Sequence, residues 1–185
     1  CTGFHNGELG MGRERMDQKL KLWPQRMSEA GYHTWYSGKW MNDGSPKSRG
    51  YDETGGLFSG GGGKWKRDQV VLGRKGRPIT GYRNWTFKTD SGPVQLDKGV
   101  VLGPLTDKHI ADGALEFLKR KTDKPFFLHV NFTGPHDPLI YPPGYAKKNT
   151  AVKMKLPDNF MPRHPFNHGN LNGRDERLLT WPRTR

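Results

Sequence analysis

Two short stretches carry side chains suited to a charged oxygen. Gly38-Lys39-Trp40-Met41-Asn42-Asp43 offers a lysine, and Thr133-Gly134-Pro135-His136-Asp137-Pro138 offers a histidine flanked by prolines. A lysine and a histidine converging on one rim suit the binding of an oxyanion and the protonation of a leaving oxygen. Each also has a plainer role: Lys39 as a solvated turn residue, His136 as a stabiliser of its own turn. Chemistry follows only if the fold brings the two to one place.

Other candidates carry less. His129 alternates within the apolar run Phe126–Phe132 and reads as a hydrogen-bonded core histidine. His164 and His168 have a spacing that suggests a metal pair, but no clustered third ligand accompanies them, so no metal site is assigned within this chain. Gly38-Lys39 is followed by Trp40 and Gly63-Lys64 by Trp65, so neither completes a phosphate loop of the form G-x-x-x-x-G-K-[ST]. No G-x-S-x-G nucleophile elbow is present.

The elements around these residues alternate in the manner of an α/β domain. Pro24–Ala30 reads as a helix opened by proline and closed by Gly31; Tyr32–Ser37 reads as a strand ended by Gly38. From Thr106 the residues Ile110, Ala111, Ala114, Leu115 and Leu118 recur at helical spacing, widened by Phe117. Phe126–Phe132 is almost continuously apolar and reads as a central strand covered on both faces. Parallel strands put ligands beyond their carboxyl ends, which is where Lys39 and His136 fall. Residues from about 50 to 104 are punctuated by Gly55-Gly56, Gly60–Gly63 and turns at Arg77-Pro78, Ser91-Gly92-Pro93 and Gly103-Pro104, and read as an inserted excursion of short hairpin strands and loops.

Composition agrees with a loop-rich α/β chain. Of 185 residues, 25 are Gly and 14 Pro, while 32% are hydrophobic. No run approaches the roughly 18 apolar residues of a membrane span, so none is expected. The net charge of +13 favours polyanions, with a dense basic run from Lys64 to Arg83. No nucleic-acid-binding signature accompanies it, so a nucleic-acid partner is not assigned. The single Cys1 excludes an internal disulfide. The ends, Cys1-Thr2-Gly3 and Trp181-Pro182-Arg183-Thr184-Arg185, read as cuts within a longer protein.

At the two loops the sequence resembles the sulfatases of the alkaline-phosphatase superfamily. Glu29-Ala30-Gly31-Tyr32-His33-Thr34-Trp35-Tyr36-Ser37-Gly38-Lys39-Trp40 is similar to the family's "EAGY-x-T-x-x-x-GKW" segment, and Lys124–Phe132 with Pro135-His136-Asp137-Pro138 to its "KPFFL…PHxP" strand and loop. The tail Leu156–Phe160, His164-Pro165-Phe166 and Arg174-Asp175-Glu176 is similar to the loop that follows in many bacterial members. The resemblance implies an alkaline-phosphatase-like α/β sandwich with a mostly parallel central sheet, of which residues 1–185 are an incomplete part of one catalytic domain with the insertion at about 50–104.

It also implies a mechanism. A formylglycine made from a cysteine by a formylglycine-generating or sulfatase-maturing enzyme would attack sulfur beside a calcium ion. Lys39 would bind the sulfate oxygens; His136 would contact the ester and protonate the leaving alcohol. The substrate would be a sulfated small molecule or glycan, and the parent protein would be exported, periplasmic or secreted. Cys1 does not fit the modified cysteine, since Gly3 and His5 stand where the family has Pro or Ala and Arg, so the nucleophile is expected upstream and most calcium ligands outside these residues. Met41 replaces the histidine of the family's "GKWH". A non-enzymatic polyanion-binding module, or a phosphodiesterase or phosphonate hydrolase on the same fold, remains the alternative.

Overall fold

A computed structural model describes residues 19–60, 82, 85–90, 92–136, 140, 142–148, 155–162 and 165–166. They form two compact units, residues 1–142 and 143–185. In the first, helix α1 (Trp23–Glu29) leads into strand β1 (His33–Trp40), strand β2 (Glu53–Ser59), strand β3 (Thr86–Lys88), helix α2 (Thr106–Leu118) and strand β4 (Phe126–Asn131). In the second, the short helix α3 (Tyr145–Lys148) and a turn closed by Phe160 N–H on the Pro157 carbonyl are described.

The sheet order is β3-β2-β1-β4. β1 runs parallel to β4, with His33 opposite Phe126 and Gly38 opposite Asn131. It also runs parallel to β2, while β3 is antiparallel to β2. The expected parallel pairing of the two framework strands is therefore present, and so is the expected α/β class.

Four local expectations need correction. β1 does not stop at Gly38 but continues to Trp40, so Lys39 belongs to a strand and not to a loop. β2 lies inside the range assigned to the excursion, yet it is a parallel strand of the central sheet. Gly55 and Gly56 serve contact there: a Cβ on Gly55 would lie 3.1 Å from the Gly113 carbonyl of α2, and one on Gly56 would lie 2.7 Å from the His109 carbonyl. β4 is one of the two edge strands among the described residues and is only partly covered, with Phe126 exposed and Phe132 exposed just beyond it. Phe127 to Asn131 are only partly buried, so among the described residues this apolar run is not covered on both faces.

The fourth concerns α2. It buries Thr106, Ile110, Gly113, Ala114 and Phe117, whereas Leu115 and Leu118 are half exposed. The close approach of Gly113 to Gly55 and Gly56 decides which stripe docks, since only a glycine-on-glycine contact permits that spacing. Burying Ile110 and Phe117 contributes about 1.5–3 kcal/mol each. The two faces of the sheet carry separate cores: Phe58, Tyr82, Phe87, Leu102 and Ile110 on the α2 side, and Tyr36, Trp40, Tyr51 and Leu57 on the other. The remaining part of the predicted excursion is sampled by β3 and by a 3₁₀ turn at Leu96–Lys98. The basic run from Lys64 to Lys75, with Arg77 and Arg83, lies outside the described residues, as do Cys1, His164 and His168.

Candidate active site

Lys39 stands at the carboxyl end of β1, opposite Phe58 of β2. Its ammonium lies 5.0 Å from the centroid of the Tyr82 ring and 5.9 Å from that of Trp85. Such contacts attract a cation to the ring face. Partial burial holds the Lys39 pKa below the ordinary lysine value, because desolvation penalises the charged form. His136 lies in the turn after β4, where its N–H donates to the Thr133 carbonyl at 3.0 Å. Its ring meets the same Tyr82 ring edge-on, centroids 4.9 Å apart. The fold thus brings the two predicted residues to one edge of the sheet, with Tyr82 between them.

Both residues are held from behind. A Cβ on Gly38 (φ +128°) would fall 2.0 Å from the Asn131 carbonyl, so only glycine fits beside β4 just before Lys39. The Tyr36 hydroxyl donates to the Lys39 carbonyl and accepts from the Asn131 side-chain amide at 2.9 Å. Burial pushes the Tyr36 pKa up to about 12, partly offset by the Asn131 bond, so its hydroxyl stays protonated. At the end of β1, Trp40 Nε1 donates to the Gly44 carbonyl at 3.1 Å, and beyond it buried Arg49 pairs with Asp43 at 2.6 Å.

On the other strand, Asp107 in the first turn of α2 reaches across to the loop that carries His136. Its carboxylate accepts the Thr133 N–H and hydroxyl, both at 2.7 Å, and the Gly134 N–H at 3.1 Å. His136 lines a cavity of about 290 Å³ with Asp107, Lys108, Thr133 and Leu102. The Gly134–Pro135 peptide is cis.

His129 sits where its alternation implied: its Nδ1 is hydrogen-bonded to the Tyr51 hydroxyl at 2.6 Å on the face away from Lys39. Burial holds its pKa below the ordinary histidine value, with the Asn131 bond acting in the opposite direction. Met41 is exposed, beside Trp40 and Asn42 at the mouth of a second cavity. Among the described residues no group of three or more His, Cys, Asp or Glu side chains could hold a metal ion, so they supply no ligand set for the calcium that the resemblance implies. No described helix is long and apolar enough to cross a membrane.

The sequence reading missed Tyr82, the Tyr36–Asn131 support and the reach of Asp107. An acidic residue in the first turn of a helix signals the dipole, and nothing in its spacing tells of a partner 26 residues away.

Comparison with known proteins gives the family to which the chain belongs. Residues 2–178 match the family model described as Sulfatase. An uncharacterised sulfatase of Schizosaccharomyces pombe is 28% identical over 148 residues, 77% of this chain and 26% of the relative. An arylsulfatase of Klebsiella aerogenes is 25% identical over 165 residues, 80% of this chain and 34% of the relative. The chain therefore spans about a quarter to a third of these relatives' length. A solved structure described as a complex with its substrate D-glucosamine-2-N,6-O-disulfate superposes with a TM-score of 0.50 at 20% identity, covering 98% of this chain and 35% of that one. With nearly the whole chain matched by the family model, the protein belongs to the sulfatase family.

Proposed function

We propose that the full-length protein is a sulfuric ester hydrolase acting on sulfated small molecules or glycans. The observation that carries this reading is the convergence of Lys39 and His136 on the Tyr82 ring at the carboxyl edge of two parallel strands. In the reaction the sulfur–oxygen bond of the ester breaks, water supplies the replacement oxygen, and the leaving oxygen takes a proton. Lys39 stabilises negative charge on the sulfate oxygens in both ground and transition states. His136 supplies the proton as charge builds on the leaving oxygen. Tyr82 keeps both cation and imidazole oriented and removes water from one side of each. A formylglycine nucleophile, a calcium ion and the enzyme that installs the formylglycine complete the reading as family properties.

The test compares two substrates in the full-length protein. Lys39→Ala raises KM and lowers kcat on both. His136→Ala lowers kcat/KM on an alkyl or sugar sulfate by about 10²–10⁴-fold, the usual worth of general-acid help, and far less on nitrophenyl sulfate, whose leaving group needs little protonation. Equal losses on the two substrates would remove His136 as the acid. Turnover of phosphodiesters or phosphonate esters in place of sulfates would overturn the reading itself.

A further inference from the structure

A second cavity, of about 400 Å³, opens at the same carboxyl edge, and its lining includes Trp40, Met41, Asn42, Ser59, Trp85 and Lys88. Its size falls within the range of small-molecule clefts, roughly 300–1,000 Å³. Trp85 joins it to the Lys39 site, because this ring also lies over the Lys39 ammonium and packs edge-on to Tyr82, centroids 5.0 Å apart. A molecule with its sulfate at Lys39 therefore reaches the cavity across one indole.

The lining has a definite chemistry. Indole faces attract the slightly positive C–H groups of a sugar ring. The Asn42 amide and Ser59 hydroxyl offer both donors and acceptors to ring hydroxyls. Among the described residues no acidic side chain lines the cavity. Asp43, next to Asn42 in sequence, is engaged with Arg49. Lys88 donates to the Gly60 carbonyl, which uses one of its three N–H donors. Burial holds its pKa below the ordinary lysine value, so the charge is kept there at a cost. A neutral donor would close the end of β2 without that cost.

We infer that this cavity is a subsite for a sugar ring of the substrate, and that Lys88 selects rings carrying a second anionic group, a sulfate or a carboxylate. The identity of the ligand rests on the sulfatase reading. The experiment is equilibrium titration of the full-length protein, which needs no turnover. Its probes are a hexosamine bearing two sulfates, the same sugar bearing one, and a singly sulfated disaccharide containing a uronate.

Unsubstituted protein binds the doubly sulfated or the uronate probe at least tenfold more tightly than the singly sulfated sugar; whichever is favoured identifies the group that Lys88 reads. Lys88→Gln keeps a donor for Gly60 but no charge, and reduces that preference to less than threefold. Lys88→Met does the same. A preference that survives in Lys88→Gln, or one absent from the unsubstituted protein, would show that Lys88 merely closes the strand end. Selective binding without hydrolysis of any sulfate ester would sink the sulfatase reading and leave the subsite standing.

Discussion

Asp107 ties down the turn that carries His136. One carboxylate oxygen accepts two bonds from Thr133 and the other accepts one from Gly134. Hydrogen bonds to a charged group contribute about 1.5–3 kcal/mol each, against about 0.5–1.5 for neutral ones. Asp107→Asn keeps one neutral acceptor for Thr133 and turns an amide donor toward the Gly134 N–H. The bonds are not additive, so the free energy of opening this turn falls by about 2–3 kcal/mol. At about 1.4 kcal/mol per factor of ten, the Thr133, Gly134 and His136 amides exchange hydrogen about 30- to 150-fold faster. Amides of β4 from Phe127 to Val130, paired with β1, change much less. A misplacement of about 1 Å in a catalytic group can cost about 10²-fold, so kcat/KM on an unactivated sulfate ester falls by about 10- to 100-fold. Exchange within threefold of the parent at all three amides would refute the clamp. Fast exchange with undiminished activity would refute the role of His136.

Two further outcomes follow from the Lys39 side. Gly38→Ala forces a Cβ against the Asn131 carbonyl at a φ of +128°, and backbone strain plus overpacking cost about 3 kcal/mol or more; a denaturation midpoint within error of the parent would exclude that contact. Inorganic sulfate stays a dianion at alkaline pH, so its affinity falls as Lys39 loses its proton, at a pH below the ordinary lysine value near 10.5. Stability moves the other way over that window. With the folded pKa depressed, the unfolded chain holds more protons between the two values, and this site's contribution to stability rises with pH there. Sulfate affinity that is flat through that window would mean Lys39 does not bind the anion.

Periodicity and punctuation made the framework legible, and the same signals misplaced its details. Pro24 and Gly31 bracket α1 closely, and the aromatic run after Gly31 is a strand, because both rest on local backbone preferences. The stripe of α2 was only partly readable. Leu115 and Leu118 satisfy the helical spacing, yet the buried face is set by contact with two glycines far away in sequence. Lys39 and His136 were singled out because each follows a run that reads as a strand, although Lys39 itself lies within β1. Tyr82 has no such marker: it sits at φ +62° between the strands of the excursion and acts only through space. Lys88 looked like one basic residue among 31, and its cavity exists only once β3 folds back on β2.

The two glycines read as breaks in fact build the edge on which the site stands. In the pairing of β1 with β2, Ser37 faces Gly55 but Lys39 faces Phe58, so β2 has one residue too many between them. Gly56, at φ +58°, takes up the extra residue as a bulge. A slip of one residue exchanges the faces of a strand, so beyond the bulge Phe58 and not Leu57 lies on the α2 side, beneath Lys39. Phe58 in turn carries Tyr82 and Trp85, centroids 5.9 and 5.5 Å away, which are the rings that hold the Lys39 ammonium. Leu57 is left on the opposite face, paired with Lys88, beside the second cavity. One bulge thus sends the two lysines to the two sides of the sheet's rim. The rim on which Trp85 stands between Lys39 and the second cavity depends on a glycine in β2 that a regular strand would not need.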